Sequence, residues 1–258
     1  MLNDHCAISR KQDGTVTLTI REAGRANVLS SPVIKGLTEG ISLLATDEAL
    51  RVLILASGGE RSFIAGADIT EMAKLNPETG ESFIKGLRNL CEAVRCFPAP
   101  VVARIQGWCL GGGLELAMAC DMRVAAPEAK FGMPEVRVGI PSVIHAALMP
   151  RLIGEARARR LILTGAAIDA ATALDWGLID FVSTSGDLDR AVADAIAPIL
   201  ACGPAVIAAQ KALMNQWAEL SLAEAVAVSV PAFGRAFATG EPQRYMRQFI
   251  DEKAGRAR

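Results

Sequence analysis

The pattern of hydrophobic and polar positions predicts strands in the first half of the chain. Residues 15–20 (Thr-Val-Thr-Leu-Thr-Ile) alternate with a period of two and are rich in β-branched side chains, which is typical of a strand. Residues 52–56 form a short continuous apolar run, as expected of a strand that is covered on both faces. Residues 100–105 and 122–126 are further strand candidates.

Helical spacing appears between these strands and dominates the second half. Apolar residues from Phe83 to Phe97 recur on one helical face, and Pro98 and Pro100 predict the end of that helix. Ala- and Leu-rich segments predict helices at 155–164, 169–176, 187–201, 204–217 and 221–238. Taken alone, this alternation of strands and helices favours an α/β fold with a doubly wound parallel sheet.

Composition narrows the class of protein. The chain has 258 residues, of which 51% are hydrophobic and 21% are charged, and this excludes a disordered chain. The net charge is −1, and no basic and aromatic surface pattern is visible, so no nucleic-acid partner is expected. Only the last segment, residues 244–258, is predominantly basic. It predicts either a solvated helix face or a contact with phosphate groups.

The cysteines and the apolar stretches bear on location. The six cysteines lack CxxC spacing, so we expect no metal site, reduced thiols that are mostly buried, and a cytoplasmic protein. The N-terminus has neither the basic nor the apolar region of a signal peptide. The longest charge-free apolar stretch, residues 195–209, is short and interrupted by proline and glycine, so no membrane span is expected.

Two glycine-bearing segments are candidates for binding a ligand. In residues 63–69 (Phe-Ile-Ala-Gly-Ala-Asp-Ile), small side chains let the backbone approach a ligand, and Asp68 followed by Glu71 also predicts a helix cap. In residues 107–121, three consecutive glycines open an apolar helix. The free N–H groups of such a helix start favour an anion or a developing oxyanion, while the alternative role of the glycines is close packing.

Two glutamates and one histidine are candidates for proton transfer. Glu115 lies among apolar residues just after the glycines, which places it either at an exposed helix start or within a site. Glu135 follows a proline and sits between apolar residues. Two carboxyl groups in different environments allow one site to hold an acid and a base. For His145 a structural or pocket-wall role is favoured over that of a base.

Several segments, taken in order, resemble the crotonase superfamily, which is the enoyl-CoA hydratase/isomerase superfamily. The matching segments are residues 25–29, 63–69, 107–121, 131–135, 163–165, 173–179 and 209–212. The first is similar to the family's CoA-contacting segment, the next two are similar to its oxyanion segments, and the fourth carries its second acid. The resemblance spans nearly the whole chain.

The resemblance implies a fold and a division of the chain. The expected fold is an α/β crotonase-like spiral of ββα repeats, which replaces the doubly wound sheet. Residues 1–195 are expected to form the spiral core with the active site. Residues 196–258 are expected to form a helical region for trimerisation and for completion of the CoA site.

The resemblance also implies an activity, namely the reversible hydration of a 2-enoyl-CoA to a 3-hydroxyacyl-CoA. In that reaction Glu115 and Glu135 act on a water molecule, and the backbone N–H groups of Ala67 and Gly112 form the oxyanion hole. Many relatives with other chemistries keep only one of the two acids, so the presence of both favours a hydratase. No metal and no redox cofactor is expected, since CoA belongs to the substrate.

Binding partners follow from the same resemblance. The residues implied to bind CoA or substrate are Arg25, Ala26, Val28, Ala65, Asp68, Ile69 and Gly111. The expected partners are an acyl-CoA and further copies of the chain, as a trimer or a dimer of trimers. Fatty-acid β-oxidation, amino-acid breakdown and aromatic degradation are all open as pathways.

Two segments depart from the family pattern. Where typical hydratases carry a Gly-rich stretch ending in Gly-Gly-Thr, residues 140–147 read Ile-Pro-Ser-Val-Ile-His-Ala-Ala. That stretch borders the acyl pocket and the water, so it bears on substrate preference and water placement. The C-terminal Glu-Gly-x-x-Ala-Phe pattern is replaced at residues 241–249, which weakens the assignment of a lysine to the CoA site.

The alternatives to hydration are other acyl-CoA reactions on the same scaffold, and binding without catalysis. An enoyl-CoA isomerase would use one glutamate to move a proton between C2 and C4. A hydrolase or decarboxylase of acyl-CoA is a further possibility. An RNA-binding relative is the remote alternative, and the charge balance argues against it.

Overall fold

The computed structural model describes residues 3–184 and 186–256, and within them it has ten β-strands and eleven α-helices. The strands are β1 (Cys6–Arg10), β2 (Thr15–Ile20), β3 (Val52–Ser57), β4 (Ser62–Ile64), β5 (Val101–Ile105), β6 (Trp108–Leu110), β7 (Met122–Ala125), β8 (Lys130–Gly132), β9 (Ala167–Asp169) and β10 (Phe181–Val182). The helices are α1 (Ser31–Leu44), α2 (Ile69–Met72), α3 (Pro77–Arg95), α4 (Gly112–Ala119), α5 (Met149–Ile153), α6 (Glu155–Thr164), α7 (Ala170–Trp176), α8 (Leu188–Leu200), α9 (Pro204–Trp217), α10 (Leu222–Ala236) and α11 (Glu241–Arg256).

The strands form two sheets, and the chain alternates between the two sheets as it winds into a spiral. The larger sheet has the order β1-β2-β3-β5-β7-β10, and the smaller has the order β4-β6-β8-β9. Consecutive strands such as β3 and β4 therefore belong to different sheets, and the same holds for β5 with β6 and β7 with β8. Neighbouring turns pair in parallel, and only β1 with β2 and β8 with β9 are antiparallel. The predicted spiral is confirmed, and a single doubly wound sheet is wrong.

Burial explains why these segments form strands and helices. Every residue of β3 is buried, as its continuous apolar run predicts for a strand with two covered faces. On one face lies the main core with α1 and α3, and on the other face α8 packs through Leu188, Val192 and Ile196. Helix α3 begins with a capping box at Asn76 and ends before Pro98, as predicted.

Several predicted boundaries moved by one or two residues. The strands predicted at 52–56, 100–105 and 122–126 are Val52–Ser57, Val101–Ile105 and Met122–Ala125. The helices predicted at 155–164 and 204–217 have those bounds. The strands of the smaller sheet were not predicted, because three-residue strands are too short to show a period. Four of the six cysteines are buried, whereas Cys96 and Cys202 are exposed.

The C-terminal helices carry an exposed apolar surface. Leu222, Val226, Val230 and Phe233 of α10 are exposed, and so are Phe249 and Ile250 of α11. The division at residue 195 stays a prediction, and positions 257–258 of its second part lie outside the described residues. Within residues 3–184 and 186–256, no single helix has the length and apolarity to cross a membrane, although α8 and α9 together, bent by 99°, pass that test.

Candidate active site

The second glycine-bearing segment places a backbone N–H group at the start of a buried helix. After β6, Gly111 adopts a φ of 51°, which favours glycine, and α4 begins at Gly112. Among the described residues, the Gly112 N–H has no hydrogen-bond acceptor, as expected in the first turn of a helix. All eight residues of α4 are buried, so this N–H group lies in a water-poor surrounding.

The first segment offers a second backbone N–H group through its pairing with the chain before α1. Leu29 forms a parallel bridge with Ala67, in which Leu29 N–H donates to Gly66 and Asp68 N–H donates to Leu29. A parallel bridge uses the groups of the flanking residues, so the N–H of Ala67 points away from Leu29. It has no acceptor among the residues that the structure describes.

The two segments lie side by side, and Gly113 in particular makes their close approach possible. A methyl group added at Gly66 would lie 3.5 Å from the Leu110 carbonyl oxygen, and one added at Gly111 would lie 3.9 Å from Gly66 Cα. A methyl group at Gly113 would overlap the carbonyl oxygen of Ile64. Gly113 therefore permits close packing, whereas Gly112 supplies the free N–H group at the helix start.

Glu115 is held inside the protein. Its side chain lies in the first turn of α4, and the residue is only 3% exposed. Oε1 accepts a hydrogen bond of 2.9 Å from the N–H of Ala146. Burial raises the pKa of Glu115 to about 8, against the lowering effect of the Ala146 bond, and the nearby Glu135 raises it further. Of the two placements predicted for Glu115, the exposed helix start is wrong, because the side chain is buried.

Glu135 is half-buried at the start of a 3₁₀ helix, Glu135–Val138. Its Oε2 accepts a hydrogen bond of 2.9 Å from the hydroxyl of Ser142. Burial raises the pKa of Glu135 also, against the bonds from its own backbone and from Ser142. Both carboxyl groups therefore retain a proton at a higher pH than an exposed glutamate does.

The two carboxyl groups flank the Gly111–Gly112 peptide. A methyl group added at Gly111 would lie 2.5 Å from Glu135 Oε1, and one added at Gly112 would lie 3.9 Å from Glu115 Oε2. The structure thus brings Glu115, Glu135 and the Gly112 N–H together.

The residues expected to bind CoA lie along the paired segments. Ala65 N–H donates to the Ala26 carbonyl at 3.1 Å, so these two residues are adjacent. Val28 is half-buried, whereas Arg25 and Ile69 are exposed. The side chain of Asp68 caps α2 by accepting from Thr70 and Glu71 N–H, which confirms the cap. The Glu71 side chain does not complete a capping box, since its carboxylate accepts from the N–H and hydroxyl of Ser31 at the start of α1.

His145 is buried, and its Nε2 donates to Oε1 of Glu92 at 2.9 Å. Burial lowers the pKa of His145, so its ring is neutral around pH 7. Sequence reasoning did not identify Glu92, Ser142 or the Ala146 N–H as parts of the site. The unusual residues at 140–147 signalled the region, but a backbone N–H group leaves no mark in the sequence.

Comparisons with known proteins identify the family of this chain. A family model described as enoyl-CoA hydratase/isomerase matches residues 10–255. A crotonyl-CoA hydratase of Syntrophomonas wolfei is 32% identical, with 95% of each chain covered. A methylglutaconyl-CoA hydratase of Mus musculus is 32% identical, with 96% of this chain and 81% of that protein covered.

A solved structure gives the same result for the fold. The crystal structure of an enoyl-CoA hydratase from Bacillus anthracis superimposes with a TM-score of 0.91 at 29% identity, and the match covers 96% of each chain. The prediction from the sequence motifs is therefore confirmed at the level of family and fold. The chain belongs to the enoyl-CoA hydratase/isomerase family, the crotonase superfamily, and among its members it most resembles the hydratases.

Proposed function

We propose that this chain catalyses the reversible hydration of a 2-enoyl-CoA thioester to the 3-hydroxyacyl-CoA. The observation that carries the proposal is that the carboxyl groups of buried Glu115 and half-buried Glu135 both lie close to Gly111 and Gly112. Relatives that are named hydratases, at 32% identity, support the same reaction.

In the proposed mechanism the oxyanion hole polarises the substrate. The thioester carbonyl accepts hydrogen bonds from the N–H groups of Ala67 and Gly112, so negative charge flows from the C2–C3 double bond onto that oxygen. One such donor is worth roughly 10²–10³ in rate. CoA lies along the wall formed by Arg25, Ala26, Val28, Ala65, Asp68, Ile69 and Gly111, and the reaction requires no metal and no redox cofactor.

The two acids share one proton during the reaction. Both pKa values are raised, and the charge of Glu135 raises that of Glu115, so the mechanism assigns one proton to the pair. The carboxylate removes a proton from water while the water oxygen bonds to C3, and the carboxylic acid donates its proton to C2. The pair ends with one proton as it began, so the same groups catalyse the reverse reaction.

Substitution of both acids tests the hydratase assignment. Each single variant, Glu115→Gln or Glu135→Gln, is expected to lose hydration by about 10²-fold or more, because an acid–base group is removed while the size is kept. The double variant should lose less than the product of the two losses, since the groups act as a unit. Loss of absorbance of the conjugated enoyl thioester measures the rate.

The same assay provides a control variant and the result that would contradict a hydratase. Glu128→Gln changes an exposed glutamate and should leave the rate unchanged. If Glu115→Gln still hydrates while Glu135→Gln is inactive, only one acid matters. Isomerisation, which creates conjugation instead of removing it, would then be the better assignment. A panel of short, long, branched and aryl enoyl-CoAs would define the acyl group.

A further inference from the structure

A short segment, residues 142–146, contacts both acidic side chains of the site. The Ser142 hydroxyl donates to Glu135 Oε2 at 2.9 Å, and the Ala146 N–H donates to Glu115 Oε1 at 2.9 Å. This is also the segment in which Gly-Gly-Thr, typical of the family's hydratases, is missing. The arrangement of both acids thus depends on residues particular to this chain.

The segment contains a strained residue between these two contacts. Ile144 has a φ of 42°, in the left-handed region that glycine adopts easily and a β-branched residue does not. Such a conformation persists only where the surrounding contacts hold it. The residue that follows, His145, is the anchor: it is buried, and its Nε2 donates to Glu92 of α3.

Glu92 is held in place by a neighbouring arginine and is well suited to accept that hydrogen bond. Arg95, one turn later on α3, donates to the same carboxylate through Nε and Nη2 at 3.1 Å each. Burial acts to raise the pKa of Glu92, but Arg95 and His145 outweigh it and the pKa is lowered, so Glu92 is ionised. His145 is the residue directly before Ala146, so its tether fixes the N–H group that contacts Glu115.

We propose that His145 is a positioning residue, which through its hydrogen bond to Glu92 holds the strained turn at Ile144 and keeps the Ala146 N–H on Glu115. The inference rests on the proposed function, because its consequence is expressed in the acid–base chemistry of Glu115. His145 itself touches neither the substrate nor the water in this account.

The consequence for pH dependence has a definite sign. The Ala146 bond lowers the pKa of Glu115, so its loss must raise that pKa. The other groups that face Glu115 are Glu135 and the Cys91 thiol of α3. Those that face His145 are Glu92, Arg95 and Arg88, all on α3. Since His145 is neutral, replacing it by leucine removes the tether without removing a charge.

The test compares pH profiles of kcat/KM for wild type, His145→Leu and His145→Gln with one 2-enoyl-CoA. In His145→Leu the transition near pH 8 should move upward by about one to two pH units, the worth of one hydrogen bond to a charged group. In His145→Gln, whose amide can donate to Glu92, the transition should return towards the wild-type value. His5→Leu, the same change at the other histidine, should leave it in place.

A purely structural role would lower the melting temperature of His145→Leu without moving the transition, and that result would overturn the proposal. If His145→Leu does not fold, Glu92→Ala decides the question. Glu92→Ala removes a negative charge and leaves the positive charge of Arg95 unpaired, and both changes alone would lower the pKa of Glu115. An upward shift of the transition in this variant would therefore come from loss of the His145–Glu92 hydrogen bond. A wild type that hydrates no enoyl-CoA would instead refute the proposed function.

Discussion

At the scale of the residue, ionisation of a buried carboxyl group lowers the free energy of unfolding. The folded protein raises the pKa of Glu115 to about 8, above its value in an unfolded chain, so between these values the folded state binds more protons than the unfolded state. The free energy of unfolding therefore falls as pH rises through that range. The stabilising contribution is fully present only below the pKa of the unfolded chain.

Glu115→Gln should consequently stabilise the protein at alkaline pH. Glutamine keeps an oxygen that accepts from the Ala146 N–H and does not ionise. We expect a gain in the free energy of unfolding on the order of 2–4 kcal/mol at pH 8, and none at pH 4. Urea unfolding at both pH values measures it. An equal effect of the substitution at the two pH values would contradict the raised pKa.

The Gly112 N–H can be removed without removing the rest of the residue. Gly112→Pro should reduce turnover by about 10²-fold, because one oxyanion donor is lost while proline is tolerated in a first helical turn. Gly112→Ala is the matched control, because it adds the same Cβ next to Leu87 and keeps the donor. Equal turnover of the two variants, in folded protein, would reject Gly112 as the donor.

At the scale of the element, an ion pair between a buried lysine and a partly exposed aspartate joins the C-terminal helices to the spiral. Lys211 of α9 donates through Nζ to Asp121 at 2.7 Å and to the Ala99 carbonyl at 3.0 Å. Lys211 lies in a stretch, residues 209–212, that matched the family motifs, and in the structure it bonds to the spiral. Asp121 follows α4, so the pair connects α9 to the helix that carries Glu115.

Lys211→Met should lower the free energy of unfolding by about 1–3 kcal/mol, since it leaves Asp121 with only the Val101 N–H as partner. Partial exposure of Asp121 limits the loss. Lys35→Met replaces an exposed lysine and should cost almost nothing. The difference between the two variants in chemical denaturation tests the tether, and equal costs would refute it.

Long elements were predictable from the sequence, and short ones were not. The strand at residues 15–20 and the helix at residues 155–164 have the predicted bounds because each shows its period over several residues. The spiral path did not follow from the period, because β4, β6 and β8 have only three residues each and the chain returns to the larger sheet between them. Only the resemblance of ordered motifs supplied that topology.

The candidate site divides in a similar way. Glu115 and Glu135 stand out because carboxyl groups are rare among apolar residues, and the glycines stand out by their number. The partners of these acids did not stand out, since the Ala146 N–H belongs to the backbone and the Ser142 hydroxyl is an ordinary loop group. The left-handed conformation of Ile144 was hidden because the residue gives no sign of it.

At the scale of the whole molecule, the exposed apolar side chains of α10 and α11 are the main unpartnered feature. Leu222 is 82% exposed and Val230 is 71% exposed, and both lie on α10. Apolar side chains that cluster in this way mark an interface more often than a free surface. We therefore propose that these helices pack against other copies of the chain.

Light scattering at micromolar concentration should give a mass of three or six times the 27.2 kDa of one chain. Val230→Glu together with Phe233→Glu should shift the mass towards that of one chain, since like charges would have to be buried in the interface. Thr164→Glu, on the helix α6, is an exposed control. A monomer of the unchanged chain at that concentration would refute the assembly.

Because Leu29 is bridged to Ala67, the direction of the Ala67 N–H depends on the number of residues in this segment more than on the identity of its side chains. The bridge uses the Gly66 carbonyl and the Asp68 N–H, so moving this pairing by one residue would turn the Ala67 N–H towards Leu29. Inserting or deleting one residue between Ile64 and Ala67 would turn the donor towards Leu29 and leave the sequence motif nearly intact. We therefore expect a single-residue insertion or deletion here to impair the oxyanion hole more than a conservative substitution does.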